Sequence, residues 1–332
     1  MRVRWLAAIA ALAFVGQAYA QEPATPALVY DLGGKFDKSF NEAAYNGAER
    51  FKKETGVEYR EFEVQNESQR EQALRNFARR GHSPIIAMSF SQEEPLKKVA
   101  AEYPDIQFVI VDAVVDLPNV RSVVFREEQG SYLVGMLAAM ASETGKIGFI
   151  GGMDIPLIRK FACGYVEGAK AANPDVEIFQ NMTGDTGAAW NDPVKGGELA
   201  RSQMERGADV IYHAAGGTGI GVLQAAADEG KLGIGVDSNQ NHLHPGNILT
   251  SMLKRVDNAV YMAFKDVHDG KWTAGVQNLG LAEEGVGWAL DDNNKSLITA
   301  EMQAKVDEAQ AKIASGEVKV HDYMEDNACP QS

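Results

Sequence analysis

Residues 27–41 read ALVYDLGGKFDKSFN. Ala27–Tyr30 is a short apolar run of β-capable residues, and Gly33 and Gly34 break it. Ser39 stands as an N-cap in front of Ala43, Ala44, Gly47 and Phe51, which share one helical face. Strand, glycine turn, acidic loop and helix start make a β–α unit. In open α/β sheets, ligands lie where strands end and helices begin. The loop offers a carboxylate (Asp31), an aromatic ring (Phe40) and an amide (Asn41), a mixture suited to a small, flat, polar molecule rather than a phosphate. A plain βα turn capped by a serine is the simpler reading of the same residues.

Outward from this unit, strands alternate with helices. Strands are expected over 27–31, 58–64, 84–90, 107–112 and 120–125, and a second series over 146–151, 176–180, 210–214, 233–237 and 248–252. Helical patterns fall between them, over 39–55, 68–80, 95–103, 130–143, 156–172, 193–206, 219–229 and 256–270. Apolar strands separated by helices imply parallel sheets covered on both faces, and two series imply two such domains. The helix after Phe125 begins the second domain and the segment 253–272 returns to the first, so the expected boundaries are 27–126 plus about 253–278, and 127–252 plus about 279–330. Several crossings make a hinge, and the interface between the domains makes a cleft.

Residues 1–20 carry Arg2 and Arg4, an apolar run from Trp5 to Gly16, and Ala18-Tyr19-Ala20. This is the pattern of a secretory signal cleaved after Ala20. The run is shorter than the ~18 residues a membrane span needs. With no Cys at the cleavage point, the expectation is a soluble periplasmic protein without a lipid anchor. The net charge is −14, or −16 once Arg2 and Arg4 leave. Such acidity argues against nucleic acid and anionic membrane surfaces as partners. The two cysteines, Cys163 and Cys329, are expected to pair in an oxidising compartment, two unpaired thiols being the alternative.

Candidate site residues gather at strand ends: Ser89, Asp112 after FVIV, Met153, Gly216, Asp237 after IGV, and Lys254. A carboxylate there is placed to accept two hydroxyl hydrogen bonds from a sugar, and charged acceptors bond more strongly than neutral ones. Singly, each is also a common turn or capping residue. Trp190 sits in a polar loop before Pro193, and Phe40 comes from the other domain; two such rings can sandwich a flat ligand, each stacked pair adding ~0.5–1.5 kcal/mol.

These segments closely resemble the basic membrane protein family of ABC-importer substrate-binding proteins, purine nucleoside receptor type. The resemblance rests on DLGGKFDKSFN (31–41), YPDIQFVIVDA (103–113), EEQGSYLVGMLAA (127–139), KIGFIGGMDIPLIRKFACGYVEGA (146–169), AWNDPVKG (189–196), AAGGTGIGV (214–222), GVDSNQ (235–240) and LTSMLKRVDNAV (249–260). It implies an α/β type I periplasmic-binding-protein fold: two Rossmann-like lobes, a hinge and an interlobe cleft. It also implies ligand contacts from Asp31, Asn41 and Asp112, with Asp31 on the base edge. Phe40 and Trp190 would stack on the base, and Gly216, Asp237 and Lys254 would hold the ribose. Relatives often carry Phe where this chain has Trp190, and some bind riboflavin or other heterocycles. A monomer that delivers its ligand to an inner-membrane permease is expected, with no cofactor.

Other classes fit less well. Gly217-Thr-Gly219-Ile-Gly221 approaches a dinucleotide fingerprint, but position 222 is Val. No Gly-x-Ser-x-Gly elbow marks a hydrolase. His242-x-His244 precedes Pro245-Gly246 in a plain loop, and no Cys/His cluster has zinc spacing.

Overall fold

The computed structural model describes residues 25–330; the expected signal segment, 1–20, lies outside them. The chain begins with β1 (Ala27–Tyr30), α1 (Phe40–Thr55), β2 (Arg60–Glu63), α2 (Gln69–Arg79), β3 (Ile85–Ala87), α3 (Glu93–Glu102), β4 (Phe108–Val111) and β5 (Val120–Phe125). It continues through α4 (Glu127–Ala141), β6 (Lys146–Met153), α5 (Pro156–Ala172), β7 (Glu177–Gly184), α6 (Pro193–Glu205), β8 (Val210–Ala214), α7 (Gly219–Asp228), β9 (Leu232–Asp237) and β10 (Ile248–Lys254). Then follow α8 (Val256–His268), β11 (Gly275–Leu279), β12 (Val286–Trp288), α9 (Ala300–Ala314) and α10 (Tyr323–Asp326).

The strands form two sheets, ordered β11-β5-β4-β3-β1-β2 and β12-β10-β9-β8-β6-β7. Each sheet thus takes its last strand from the C-terminal part of the chain, so the polypeptide passes between sheets after β5, after β10 and after β11. Neighbouring strands are parallel except β12, which runs antiparallel to β10. That edge departs from the all-parallel expectation: the chain reaches β12 from β11 of the other sheet, not through a β–α–β crossover from β10, so nothing forces the parallel sense on it.

Period-two alternation explains how both faces are covered. In β1, Ala27 and Val29 pack with Leu74, Phe77, Leu96 and Val99 of α2 and α3. Leu28 and Tyr30 point the other way, toward Ala44, Ala48 and Phe51 of α1 and Phe264 of α8. The second sheet repeats the device: Phe149 and Tyr212 join α4 and α5, whereas Ile150 and Ile211 join α6 and α7. Such strands have no polar face, so the sequence shows apolar runs rather than alternation.

α4 and α5 pack against each other unusually closely. A Cβ placed on Gly168 would lie 1.9 Å from the Tyr132 carbonyl oxygen, and one on Gly164 would lie 2.3 Å from that of Glu128. Only glycine admits this approach, which brings the middle of α5 against the first turns of α4.

Several expected elements shift. The strand expected over 84–90 ends at Ala87, and Phe90 already belongs to a 3₁₀ turn, Phe90–Gln92. Helix α4 starts at Glu127 rather than 130, with both glutamates of its first turn buried. β10 runs through Lys254 instead of stopping at Met252. β11, β12, α9 and α10 lie beyond the expected pattern. β11 is an exposed edge without an apolar run, and α9 buries only Met302, Val306 and Ile313. The two cysteines are joined, Cys163–Cys329, with Cα atoms 5.5 Å apart. The bridge fastens the tail to α5.

Candidate functional site

A cleft enclosing about 600 Å3, open solvent included, lies between the C-terminal ends of the two sheets. It is lined by Asp31, Phe40, Asn41, Ser89, Asp112, Trp190, Gly216, Asp237 and Lys254. Nine of the ten residues singled out in the sequence therefore converge on one space. Met153 is absent from the lining; it ends β6, half-buried.

Phe40 opens α1 and belongs to the first sheet; Trp190 ends a 3₁₀ turn, Gly187–Trp190, of the second. The indole rests on Gly152: a Cβ there would sit 2.1 Å from the ring. The Trp190 side chain thus packs on its own sheet and core with one side left on the cleft wall. Ser89, Asp112 and Asp237 hold φ of 84°, 69° and 62° at the ends of β3, β4 and β9. Non-glycine residues in this region are strained by ~1–3 kcal/mol each and cluster at functional positions.

Asp31 is buried and held from behind. Arg70 Nε donates to one carboxylate oxygen at 3.1 Å, and the Ser91 hydroxyl donates to the other. Asn41 uses its amide on its own loop: its Nδ2 donates to the Asp31 and Gly34 carbonyls, and its Oδ1 accepts from the Asp31 N–H. Its side chain shapes the turn as well as facing the cleft.

The helix cap differs from expectation. Asp37, not Ser39, receives the free N–H groups at the start of α1, accepting from Ser39, Asn41 and Glu42 at 2.8, 3.0 and 3.1 Å. Burial nevertheless pushes the Asp37 carboxyl up to about 7 against those donors. The Ser39 hydroxyl is left to cross the cleft and donates to Asp237 Oδ2 at 2.5 Å. Ser238 Oγ donates to the Ser39 carbonyl, and Gln240 Nε2 to the Lys38 carbonyl, each at 3.0 Å. The two sheets thus meet at residues 38–39 and 237–240. Gln240 is itself fixed, its Oε1 accepting from the Val236 N–H and facing His213 Nε2 at 3.0 Å. Burial holds His213 down to about 4, so the ring is neutral at pH 7.

Lys254 Nζ lies 2.7 Å from Asp112 Oδ2 and 2.9 Å from Glu127 Oε1, and 5.3 Å from the centre of the Phe40 ring. Burial favours the neutral amine, but Asp112, Glu127 and Asp237 keep it charged, well above the ordinary lysine value. Burial likewise pushes Asp112 up to about 6, against the pull of Lys254. Chemically, the cleft offers aromatic faces from Phe40, Phe90, Phe161 and Trp190, one ammonium and several carboxylates.

Sequence reasoning missed part of this wall. Asp37 lay inside the opening stretch, read only as loop. Leu157, Ile158 and Phe161, from the first turns of α5, complete the apolar side; the Pro156 helix start directly after a strand end was the available signal. Of the partners of Asp31, Ser91 stands with Ser89 and Phe90 at the expected end of a strand, whereas Arg70 carried no local signal.

The family model for PnrA-like ABC transporter substrate-binding proteins matches residues 25–323. An uncharacterised lipoprotein of Pyrococcus abyssi is 38% identical over 282 residues, covering 80% of this chain and 69% of that protein. The ABC transporter nucleoside-binding protein BmpA of Lactococcus lactis is 32% identical over 311 residues, covering 86% of this chain and 87% of its own length. Among solved structures, an ABC transporter solute-binding protein from Aeropyrum pernix K1 superposes with a TM-score of 0.83 at 31% identity, over 90% of this chain and 94% of its own. The fold is that of type I periplasmic binding proteins, as the sequence resemblance implied.

Proposed function

This chain belongs to the family of PnrA-like ABC transporter substrate-binding proteins, and from that premise we propose that it is a periplasmic receptor for a purine nucleoside. One observation carries the reading: Phe40 and Trp190 face one cleft from different sheets, and Asp237, Asp112 and Lys254 border the same space. The rings would stack on the base. Asp31, already engaged by Arg70 and Ser91, would accept from the base edge. Asp237 and Lys254 would accept from and donate to the ribose hydroxyls.

The charge balance narrows the ligand. Asp31, Asp37, Asp112 and Asp237 line the cleft, and Lys254 already pairs with Asp112. A phosphate would meet like charge with no unpaired cation among the described lining residues, so the cleft would accept nucleosides and repel nucleotides.

In this reading the lobes, 27–126 with about 253–278 and 127–252 with about 279–330, close over the ligand by bending at the crossings. The closed monomer would then be recognised by a membrane permease, the ligand being released unchanged. Among the described residues no helix is long and apolar enough to cross a membrane; export on the N-terminal signal completes the proposal.

The test is calorimetric titration of protein stripped of carried-over ligand by denaturation and refolding, using nucleosides, free bases, nucleoside monophosphates and riboflavin. Sub-micromolar binding of a nucleoside, recovered unchanged, with monophosphates at least ~100-fold weaker, is the expected result. Preference for riboflavin would reject the nucleoside assignment, and recovery of a cleaved ligand would reject the receptor role.

A further inference from the structure

Ion pairs continue where the cleft lining stops. Glu127, whose Oε1 meets Lys254, turns its Oε2 to Lys160 Nζ at 3.1 Å. Lys160 Nζ lies 3.3 Å from both Glu128 Oε2 and Asp322 Oδ2, and donates to the Phe125 carbonyl at 2.7 Å. Lys254, Glu127 and Lys160 are each no more than 5% exposed. Alternating charges thus run from Asp112 on the first sheet, past the crossover at Phe125–Glu127, to the C-terminal tail. The close α4–α5 contact at Gly164 and Gly168 brings Lys160 to Glu127. At the far end, Asp322 accepts from the Met324 N–H at the start of α10, and the tail is bonded to Cys163, one turn along α5 from Lys160. A buried ion pair adds little net stability over an apolar filling of the same shape, yet it fixes where its charges sit.

We propose that Glu127 and Lys160, neither of which lines the cleft, are positioning residues for ligand capture: they hold the Lys254 ammonium at the mouth of the ribose subsite against Asp112, and Asp322 anchors them to the C-terminal tail. The inference rests on the reading of Lys254 as a donor to the ligand's hydroxyls. Without the Lys160 charge, Glu127 draws Lys254 inward, away from the cleft. Without the Glu127 charge, Asp112 takes the ammonium alone. Either change reduces what Lys254 offers a sugar and leaves the stacking faces untouched.

The experiment measures nucleoside and free-base affinities by calorimetry for the stripped full-length mature protein and for Lys160→Met, Lys160→Arg, Asp322→Asn and Lys254→Met. Lys160→Met is expected to weaken nucleosides by ~10-fold or more with free bases within ~2-fold, Lys160→Arg to recover most of the loss, and Asp322→Asn to show a smaller loss of the same selective kind. Equal losses for base and nucleoside, or a lower Tm with unchanged selectivity, overturn the positioning role. If Lys160→Met does not fold, Glu127→Gln/Lys160→Met removes one charge of each sign, and its selectivity decides in the same way. Lys254→Met separates the two readings. Selectivity lost there but kept in Lys160→Met overturns positioning alone; selectivity kept in Lys254→Met removes the ligand role of Lys254, and positioning falls with it.

Discussion

Asp237 ends an apolar strand, is buried, adopts φ 62° and meets Ser39 from the other sheet. At this scale, small changes should separate the roles of neighbours. Asp237→Ala is expected to weaken nucleosides far more than free bases, and Trp190→Ala to weaken both, as read by titration; equal losses in Asp237→Ala would remove the ribose assignment. Arg70 is nine-tenths buried beside Asp31. Arg70→Met leaves a buried carboxylate without its cation, so urea unfolding should show a loss of about 3 kcal/mol. The Asp112 carboxyl, pushed up to about 6, sets a pH dependence. Protonation removes an acceptor and the partner of Lys254, so nucleoside affinity should fall as pH drops below 6. The same group acts oppositely on stability. Its folded pKa exceeds the ordinary 3.8, so its contribution is complete below about pH 4 and is lost as pH rises through about 6. Titrations and thermal melts across pH 5–8 should separate the two trends.

Among the elements, the α4–α5 pair is held by close backbone contacts at Gly164 and Gly168. Gly168 has the Tyr132 backbone within van der Waals reach and no flexible side chain to yield. Gly168→Ala should therefore cost about 1–3 kcal/mol, as overpacking does, visible as a lower urea midpoint at unchanged slope. Because Lys160 lies two turns away on α5, separation of the helices should also weaken ligand binding. The α1 cap shows how an element is read locally and decided elsewhere. Asp37 and Ser39 are both capping residue types, and sequence favoured the one adjacent to the helix. Asp37 caps because Ser39 has a stronger partner across the cleft, a carboxylate 198 residues away in sequence.

For the whole molecule, the chain crosses between sheets three times among the described residues, and the tail is closed by a bridge spanning 166 residues. Replacing Cys163 and Cys329 together by Ser should lower stability by roughly 2–5 kcal/mol, since the bridge restricts a long loop of the unfolded chain. Calorimetric melting with and without reductant checks this. Contacts between the sheets at residues 38–39 and 237–240 bear on release. Ser39→Ala should speed nucleoside dissociation several-fold in stopped-flow measurements with the association rate little changed, because contacts within a closed state act mainly on the off-rate.

Local chemistry determined the α/β class, the strand ends and the residue types found there, since apolar runs, glycine breaks and helix starts act over a few neighbours. Asp31, Phe40, Asn41, Ser89, Asp112, Trp190, Gly216, Asp237 and Lys254 were legible for that reason: α/β sheets bring strand ends to one edge. β11 and β12 were not legible, because short or exposed edge strands need no apolar pattern of their own. Tertiary structure alone decided which groups are paired. It joined Arg70 to Asp31, released Ser39 from its helix, buried Glu127 and Lys160 together, and left Met153 off the cleft lining. Each of these depends on partners far apart in the chain, and burial makes a charge acceptable only where its counter-charge arrives with it.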